Sequence, residues 1–226
     1  MTKLVILSNN ERALFDSPAK FNFDQRAIYF ALDQKILDIL QSIRTSTNKV
    51  GFMLQYGHFK SNGKFYTNEQ FSTQDINYVI RQLNMDYRDV NIENYSTNMQ
   101  AKHRIKILAY LKWKTINRLT YDKLFKYILL QAQNQSSPKE LFYMAIDYCW
   151  HNKIEVPSSN QLTLLITNAY NEHESLVIEK IKANIDNKTK KSLEQLLSPS
   201  EQDQFQRTPM EILKKVNQSL RPMHIK

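Results

Sequence analysis

A run of cations between Gln100 and Lys126 is the part of this sequence with the clearest chemistry. These 27 residues hold eight lysines and arginines against the single acid Asp122, a local charge of +7 in a chain whose net charge is +9. The cations are Lys102, Arg104, Lys106, Lys112, Lys114, Arg118, Lys123 and Lys126. A solvated lysine-rich face usually carries acids four residues from its cations, and this stretch lacks them. We therefore expect a negatively charged partner outside the chain.

Polar side chains that could read a nucleic acid surround the start of this run. Ser96 can cap a helix, and the side chains expected to project from its first turns are those of Thr97, Asn98, Gln100, Lys102 and Arg104. A helix in a DNA major groove presents amides and hydroxyls to base edges and cations to phosphates. The alternative is an ordinary amphipathic helix with a basic outer face. His103 could donate to a phosphate or pack at a contact between helices.

A second polar group lies at the start of the predicted helix 48–59. Its members are Arg44, Ser46, Thr47, Asn48 and Lys49, and we predict that they contact DNA. The alternative is that they cap and solvate a packing helix. The full predicted DNA-binding set adds Lys60, Lys106, Lys112, Lys114 and Arg118, of which the last three are expected to contact phosphates.

Catalytic groups are sparse. The five histidines (His58, His103, His151, His173, His224) stand singly, there is one cysteine, and three glycines cannot build a phosphate-binding loop. Cys149 and His151 are two residues apart, so on a helix they point in different directions and a buried thiol is favoured over a dyad. We predict no catalytic site, no metal site and no cofactor.

Composition favours helices to hold these groups. Proline and glycine are few (6 and 3) and 42% of residues are hydrophobic, so we predict an all-α protein with real cores. The sequence has no signal peptide and no long apolar run, which predicts a cytoplasmic, DNA-associated protein. A pI near 9.4 fits a nucleic-acid partner, although an anionic membrane surface or an acidic protein would attract the same charge.

Capping residues and apolar spacing predict where the helices lie. The predicted ranges are 8–15, 24–30, 33–43, 48–59, 72–83, a helix from 96, 121–133 capped by Thr120, 137–151, 160–185 and 209–220. Alternation in 48–59 would also suit a strand, but helical neighbours favour a helix, in which Gly51 and Gly57 permit close packing. Helices 72–83 and 96–111 could form a helix-turn-helix pair with a long linker.

Several segments resemble a known family, the Tn-three family transposases of replicative bacterial transposons, in the N-terminal domain of those enzymes. The segments are Ala27 to Asp33 (AIYFALD), Arg44 with Asn48 to Gln55 (NKVGFMLQ), Gly63 to Phe65, Gln82-Leu83, the helix from His103 through Ile107 to Trp113, Pro157 to Leu162 (PSSNQL), and Leu193 with Leu197. The sequence departs from the family where Met99-Gln-Ala-Lys102 replaces a usually arginine-rich stretch.

The resemblance implies consecutive small helical DNA-binding units that recognise the terminal inverted repeats of the element. We predict units at 1–67, 68–134 and 135–226, the last a helical scaffold, and expect the chain to end before the nuclease domain. The protein would bind double-stranded DNA, with possible self-association as part of a full transposase, and would not be catalytic itself. The alternatives are a freestanding non-catalytic remnant or regulator, and a helical protein–protein interaction scaffold.

Overall fold

Helices make up nearly all the regular structure of the computed structural model, which describes residues 4–134 and 137–197. In chain order they are α1 (Asn9–Phe15), α2 (Phe23–Tyr29), α3 (Gln34–Gln41), α4 (Ser46–Asn62), α5 (Thr73–Gln82), α6 (Thr97–Leu111), α7 (Arg118–Gln133), α8 (Pro138–His151), α9 (Ser159–Asn184) and α10 (Asn187–Leu197). Three 3-10 turns lie at Asn68–Gln70, Tyr87–Asp89 and Ile92–Asn94. In the described ranges the one strand-like pairing is an isolated bridge between Lys114 and Ile154. The predicted all-α class is confirmed.

Local capping chemistry sets several helix ends where the sequence predicts them. At α1 the Ser8 Oγ accepts the Glu11 N–H at 3.3 Å, and the Glu11 carboxylate accepts the Ser8 N–H at 2.8 Å. At α8, Ser137 and Glu140 form the same reciprocal pair, with Pro138 in the first turn. Each cap satisfies amides that the helix itself leaves without acceptors.

The start of α7 corrects one prediction. Its N-cap is Asn117, not Thr120: the Asn117 Oδ1 accepts the Thr120 N–H at 3.0 Å, and the Asn117 N–H donates to the Thr120 hydroxyl at 2.8 Å. Asparagine is at least as good an N-cap residue as threonine, so residue type alone did not distinguish the two candidates. The helix consequently begins at Arg118, three residues earlier than predicted.

Helix α4 lies at the centre of a first hydrophobic cluster. All its residues from Val50 to Phe59 are buried, and α2, α5 and α6 each pack against it. A helix that is buried on all sides carries apolar residues on every face. Apolar residues therefore also fall at alternate positions, as they would in a strand. The prediction of a helix is confirmed, and the helix is longer at both ends than the predicted 48–59.

The glycines of α4 allow the close packing that the sequence suggests. A Cβ atom added to Gly57 would lie 2.2 Å from the Phe30 ring, and one added to Gly51 would lie 2.8 Å from the Tyr95 ring. Gly63 ends the helix at a φ of 71°, a left-handed conformation that glycine adopts at little cost.

A second hydrophobic cluster is built from α7, α8, the first turns of α9 and the N-terminal segment that holds Ile6 and Leu7. The first cluster gathers residues from Phe21 to Leu108, with Trp113 packed against it. The predicted boundary after residue 67 therefore falls inside one core, where the Arg26 Nε also contacts the Asp75 Oδ1 at 2.7 Å. Helices α4 and α5, which lie on either side of that boundary, pack against each other.

Backbone hydrogen bonds join the two clusters just after α6. The Lys114 N–H donates to the Lys153 carbonyl at 2.7 Å, and the Glu155 N–H donates to the Lys114 carbonyl at 2.9 Å. The Val156 N–H donates to the Gly63 carbonyl at 2.9 Å. These bonds fix the end of α6 against the segment that leads into α9.

The chain divides into two units, residues 1–173 and 174–226. Described residues of the second unit are the last turns of α9 and helix α10. In α9, Leu162, Leu165, Ile166 and Ala169 are buried, whereas Leu176, Ile178 and Ile181 are 38%, 42% and 50% exposed. The predicted helix 209–220 lies outside the described residues.

Candidate nucleic-acid interface

The first turn of α6 is anchored as the sequence predicts. The Ser96 Oγ accepts the Met99 N–H at 3.3 Å. The preceding residue, Tyr95, is buried, with its ring above Gly51 of α4. This anchor fixes which side of α6 faces the core.

The buried side of α6 consists of His103, Ile107 and Leu108. The His103 ring packs edge-on against Phe52, with centroids 5.3 Å apart, and its Nδ1 shares a 2.8 Å hydrogen bond with the Tyr95 hydroxyl. Burial, with a smaller effect from Lys106, lowers the pKa of His103 to about 4. His103 is thus packed as in the alternative hypothesis, and its burial does not favour the predicted phosphate contact.

Gln100 has its amide engaged within the chain. Its Nε2 donates to the Tyr95 carbonyl at 3.0 Å and to the Asn68 Oδ1 at 3.3 Å. An adenine contact needs that same amide group, because it donates to N7 while the carbonyl accepts from N6. The arrangement does not favour Gln100 as the predicted base-reading residue.

Arg104 is also engaged. One guanidinium nitrogen lies 2.5 Å from the Glu155 carboxylate, and the guanidinium lies 5.5 Å from the centre of the Phe65 ring. Burial raises the pKa of Glu155, against the opposing effect of Arg104. Arg104 thus neutralises a buried carboxylate at the junction of the two clusters, and this internal ion pair does not favour the predicted DNA contact.

One side of α6 is free. We define the free face of α6 as its exposed outer residues, which are Asn98, Ala101, Lys102, Ile105, Lys106, Ala109 and Lys112. Thr97 is exposed beside them. Among the residues that the structure describes, no acid forms an ion pair with any of the three lysines. The free face is therefore a cationic helical surface without internal compensation.

The N-terminus of α4 lies near this face. The Lys106 Nζ donates to the Ser42 hydroxyl, in the turn between α3 and α4, at 3.2 Å. Arg44 in the same turn is exposed, whereas Ser46, Asn48 and Lys49 are half-buried. The structure thus brings Arg44 and Lys106, which the sequence assigns to separate units, close to one turn.

Two residues of the predicted DNA-binding set form hydrogen bonds within the fold. Thr47 is buried and its hydroxyl accepts the Asn91 N–H at 3.1 Å. Lys60 is half-buried, and its Nζ donates to the Ile28 carbonyl at 2.9 Å. These hydrogen bonds connect α4 to its neighbours and do not favour the predicted DNA contacts of the two residues.

The cations after α6 remain on the surface. Lys112 is its exposed C-cap, in a left-handed conformation with φ of 57°. Lys114 and Arg118 are exposed, as are Lys123 and Lys126 along α7. Together with the free face they keep most of the positive charge of residues 100–126 open to a partner.

Sequence reasoning missed the apolar members of the free face. Ile105 is 69% exposed, and Ala101 and Ala109 precede and follow it by four residues. The signal was present in the sequence. Met99, Ile107, Leu108 and Leu111 form an apolar stripe at a period of 3.6, and Ile105 lies off that stripe.

Groups with catalytic potential are separated. Cys149 is buried, which raises its pKa to about 12, whereas His151 is exposed and its Nδ1 lies 2.7 Å from the Asp147 carbonyl. In residues 4–134 and 137–197 no group of three or more histidine, cysteine, aspartate or glutamate side chains could hold a metal ion. Over the same ranges, no helix has the length and apolarity needed to cross a membrane.

Comparison with known proteins places the chain in a family. Residues 6–169, more than half of the chain, match the model of the family described as "Domain of unknown function (DUF4158)". The chain belongs to this family. It is also similar to a protein of Enterococcus faecium named "Transposase for transposon Tn1546", with 22% identity over 187 residues. The match covers 82% of this chain and 19% of that transposase, so the chain spans about a fifth of its relative's length.

Proposed function

We propose that this chain is a region of a Tn-three-like transposase that binds double-stranded DNA, with the free face of α6 as its principal contact surface. The observation that carries the proposal is the cationic free face, whose lysines have no acidic partner in the described part of the chain. Phosphates of DNA would supply the missing negative charge.

The dimensions of α6 suit a major groove. Its fifteen residues span about 22 Å, with a diameter of about 10–12 Å. The groove of B-DNA is about 12 Å wide and accepts one helix. Asn98 and Thr97 would face base edges from the first turn, while Lys102, Lys106 and Lys112 would contact phosphates on either side. Arg44, Lys114 and Arg118 would extend the phosphate contacts.

The similarity to a transposase supports a role in transposition. We propose that the bound DNA is the terminal inverted repeat of a transposon, and we assign these residues to binding and not to strand cleavage. The proposal refers to the region that this chain represents, since it covers 19% of the related transposase.

The salt dependence of DNA binding tests the proposal. If about five phosphates are neutralised, the logarithm of the binding constant should fall with the logarithm of salt concentration with a slope near −4 to −5. Fluorescence anisotropy with a labelled duplex measures this slope. A slope near zero would contradict the proposal that the chain binds DNA.

A charge-neutralising variant then locates the surface. Replacing Lys102, Lys106 and Lys112 by glutamine should bring the slope to about −2, since about three phosphate contacts are lost. The matched control replaces Lys188, Lys190 and Lys191, which are exposed on α10, and should keep the original slope. Equal slopes for both triple variants would move the binding surface away from α6.

Selecting bound duplexes from a random pool tests the assignment to transposon ends. A shared sequence should emerge and should match the terminal repeats of the transposon that encodes the protein. Recovery of unrelated duplexes, together with a strong salt slope, would reduce the proposal to non-specific DNA binding.

A further inference from the structure

The free face of α6 carries an apolar row among its cations. Ala101, Ile105 and Ala109 follow each other at intervals of four residues, so they lie nearly in line along the helix. The row extends for about 12 Å. Ile105 is 69% exposed, and Lys102, Lys106 and Lys112 are exposed beside the row.

Charge around the row decides what kind of surface could cover it. A single exposed isoleucine is common on proteins. A purely apolar protein surface would have to desolvate the neighbouring lysine ammonium groups as it covered Ile105, and this is costly without paired anions. The major groove presents a different surface: thymine C5-methyl groups on its floor and phosphates along both edges.

Side-chain size fits the same surface. The two alanines add little bulk, so the helix could approach the floor of the groove closely at their positions. Ile105 then projects furthest between them and would reach a methyl group. Asn98, about two turns before Ile105 on the same face, is suited to the adenine of an A·T pair.

We infer that the Ala101, Ile105 and Ala109 row reads thymine methyl groups in the major groove, so that the chain prefers sites with thymine under the centre of α6. This inference rests on the proposed DNA binding and adds its base specificity. Ile105 is the specificity-determining residue, and the lysines beside it contact the phosphates along the same groove.

Removing the methyl group from the DNA provides a direct test. The probe is a duplex recovered from the random-pool selection, compared with the same duplex synthesised with deoxyuridine in place of every thymine. Deoxyuridine pairs like thymine but lacks the C5-methyl group. The wild-type protein should bind the deoxyuridine duplex about 4-fold more weakly for each methyl group that the row covers, as expected for burial of one methyl.

The Ile105→Ala variant completes the test. It should bind the thymine duplex more weakly than wild type does, and its preference for thymine over deoxyuridine should fall below about 2-fold, because the contacting side chain is shortened. The control variant is Leu130→Ala, which truncates an exposed apolar side chain on α7 and should keep the wild-type preference. Circular dichroism of both variants checks folding, which should be unaffected at such exposed positions.

Three outcomes would overturn the inference while leaving DNA binding intact. These are equal wild-type affinity for both duplexes, an Ile105→Ala variant that keeps the full thymine preference, and an Ile105→Ala variant whose only defect is loss of self-association in sedimentation. Absence of any salt-dependent binding to either duplex would instead remove the proposed function itself.

Discussion

Helices α4 and α6 carry similar polar residues at their N-termini but have opposite surroundings. Both have a hydroxyl N-cap, Thr45 and Ser96, and both place at least one amide and a lysine in their first two turns. In α4 every residue from Val50 to Phe59 is buried, whereas in α6 only His103, Ile107 and Leu108 are. The contrast teaches that a polar helix start does not identify a DNA-reading helix, because reading a groove requires a free face along several turns.

The largest expected effect tests the enclosure of α4. Gly57→Leu should destabilise the protein by about 3 kcal/mol, because even a Cβ would lie 2.2 Å from the Phe30 ring and a packed core resists added volume. The matched substitution on α6 is Ala101→Leu, which should change the free energy of unfolding by less than about 0.5 kcal/mol. Urea denaturation measures both.

This pair would break the comparison if Ala101→Leu were as destabilising as Gly57→Leu. The side of α6 that carries Ala101 would then be packed, and its assignment as a free face would be wrong.

The buried side of α6 should respond to pH. His103 has a pKa of about 4 in the folded chain against 6.5 for the exposed ring, so the unfolded state binds the proton more tightly. The stability is present in full above pH 6.5 and should fall by on the order of 2 kcal/mol as the pH drops through 6.5 towards 4. Urea denaturation at pH 7 and pH 4.5 measures this loss.

The variant His103→Asn isolates that contribution. Its stability should decline less than that of wild type between the two pH values, since the titrating ring is gone. Parallel declines of the two proteins would assign the acid sensitivity to other groups and contradict the burial of His103.

Substitutions of two cations of α6 should affect different properties, one the stability and the other the DNA binding. Arg104→Met leaves the buried Glu155 without its partner and should cost about 1.5 kcal/mol of stability at pH 7, a value between those of exposed and buried pairs. DNA affinity measured well below the unfolding transition should be nearly unchanged. Lys102→Met should do the reverse, with unchanged stability and a shallower salt slope.

If Arg104→Met lowers mainly stability and Lys102→Met weakens mainly DNA binding, the division of α6 into a packed side and a free side is supported. A loss of DNA affinity for Arg104→Met equal to that for Lys102→Met would mean that Arg104 leaves Glu155 to contact phosphate.

The smallest expected effect distinguishes the two amides of α6. Gln100→Ala removes the hydrogen bonds to Tyr95 and Asn68 and should cost about 1 kcal/mol of stability, with no change in the ratio of cognate to random DNA affinity. Asn98→Ala should lower that ratio by a factor of about 5 or more, since a base contact is worth about 1–3 kcal/mol. A lower ratio for Gln100→Ala would restore Gln100 as a base-reading residue.

Local rules explain what could be predicted from the sequence about the fold. The caps at Ser8, Ser96 and Ser137 lie where they were predicted, because each depends on residues within three positions. The wrong cap at Thr120 has the same origin, since Asn117 satisfies the local rule equally well. No local feature of the sequence records that Arg26 pairs with Asp75 across the predicted boundary after residue 67.

The candidate site was predictable in its charge and less so in its individual residues. The concentration of cations in 100–126 is visible in the sequence, and most of these side chains are exposed. His103, Arg104, Thr47 and Lys60 have the residue types of DNA ligands, but they contact Tyr95, Glu155, Asn91 and Ile28. Those partners lie 8 to 51 residues away in the chain, which propensity and spacing cannot reveal.

Sequence alone therefore determined the all-α class, most helix ends and the location of the excess charge, because these follow from propensity, capping and composition over short distances. The apolar stripe of α6 already indicates that Ile105 lies on its outer side. Only the tertiary structure decided which polar side chains of α6 are free, because His103 and Arg104 are engaged by Tyr95, Phe52 and Glu155. Long-range packing alone brings those partners to the helix.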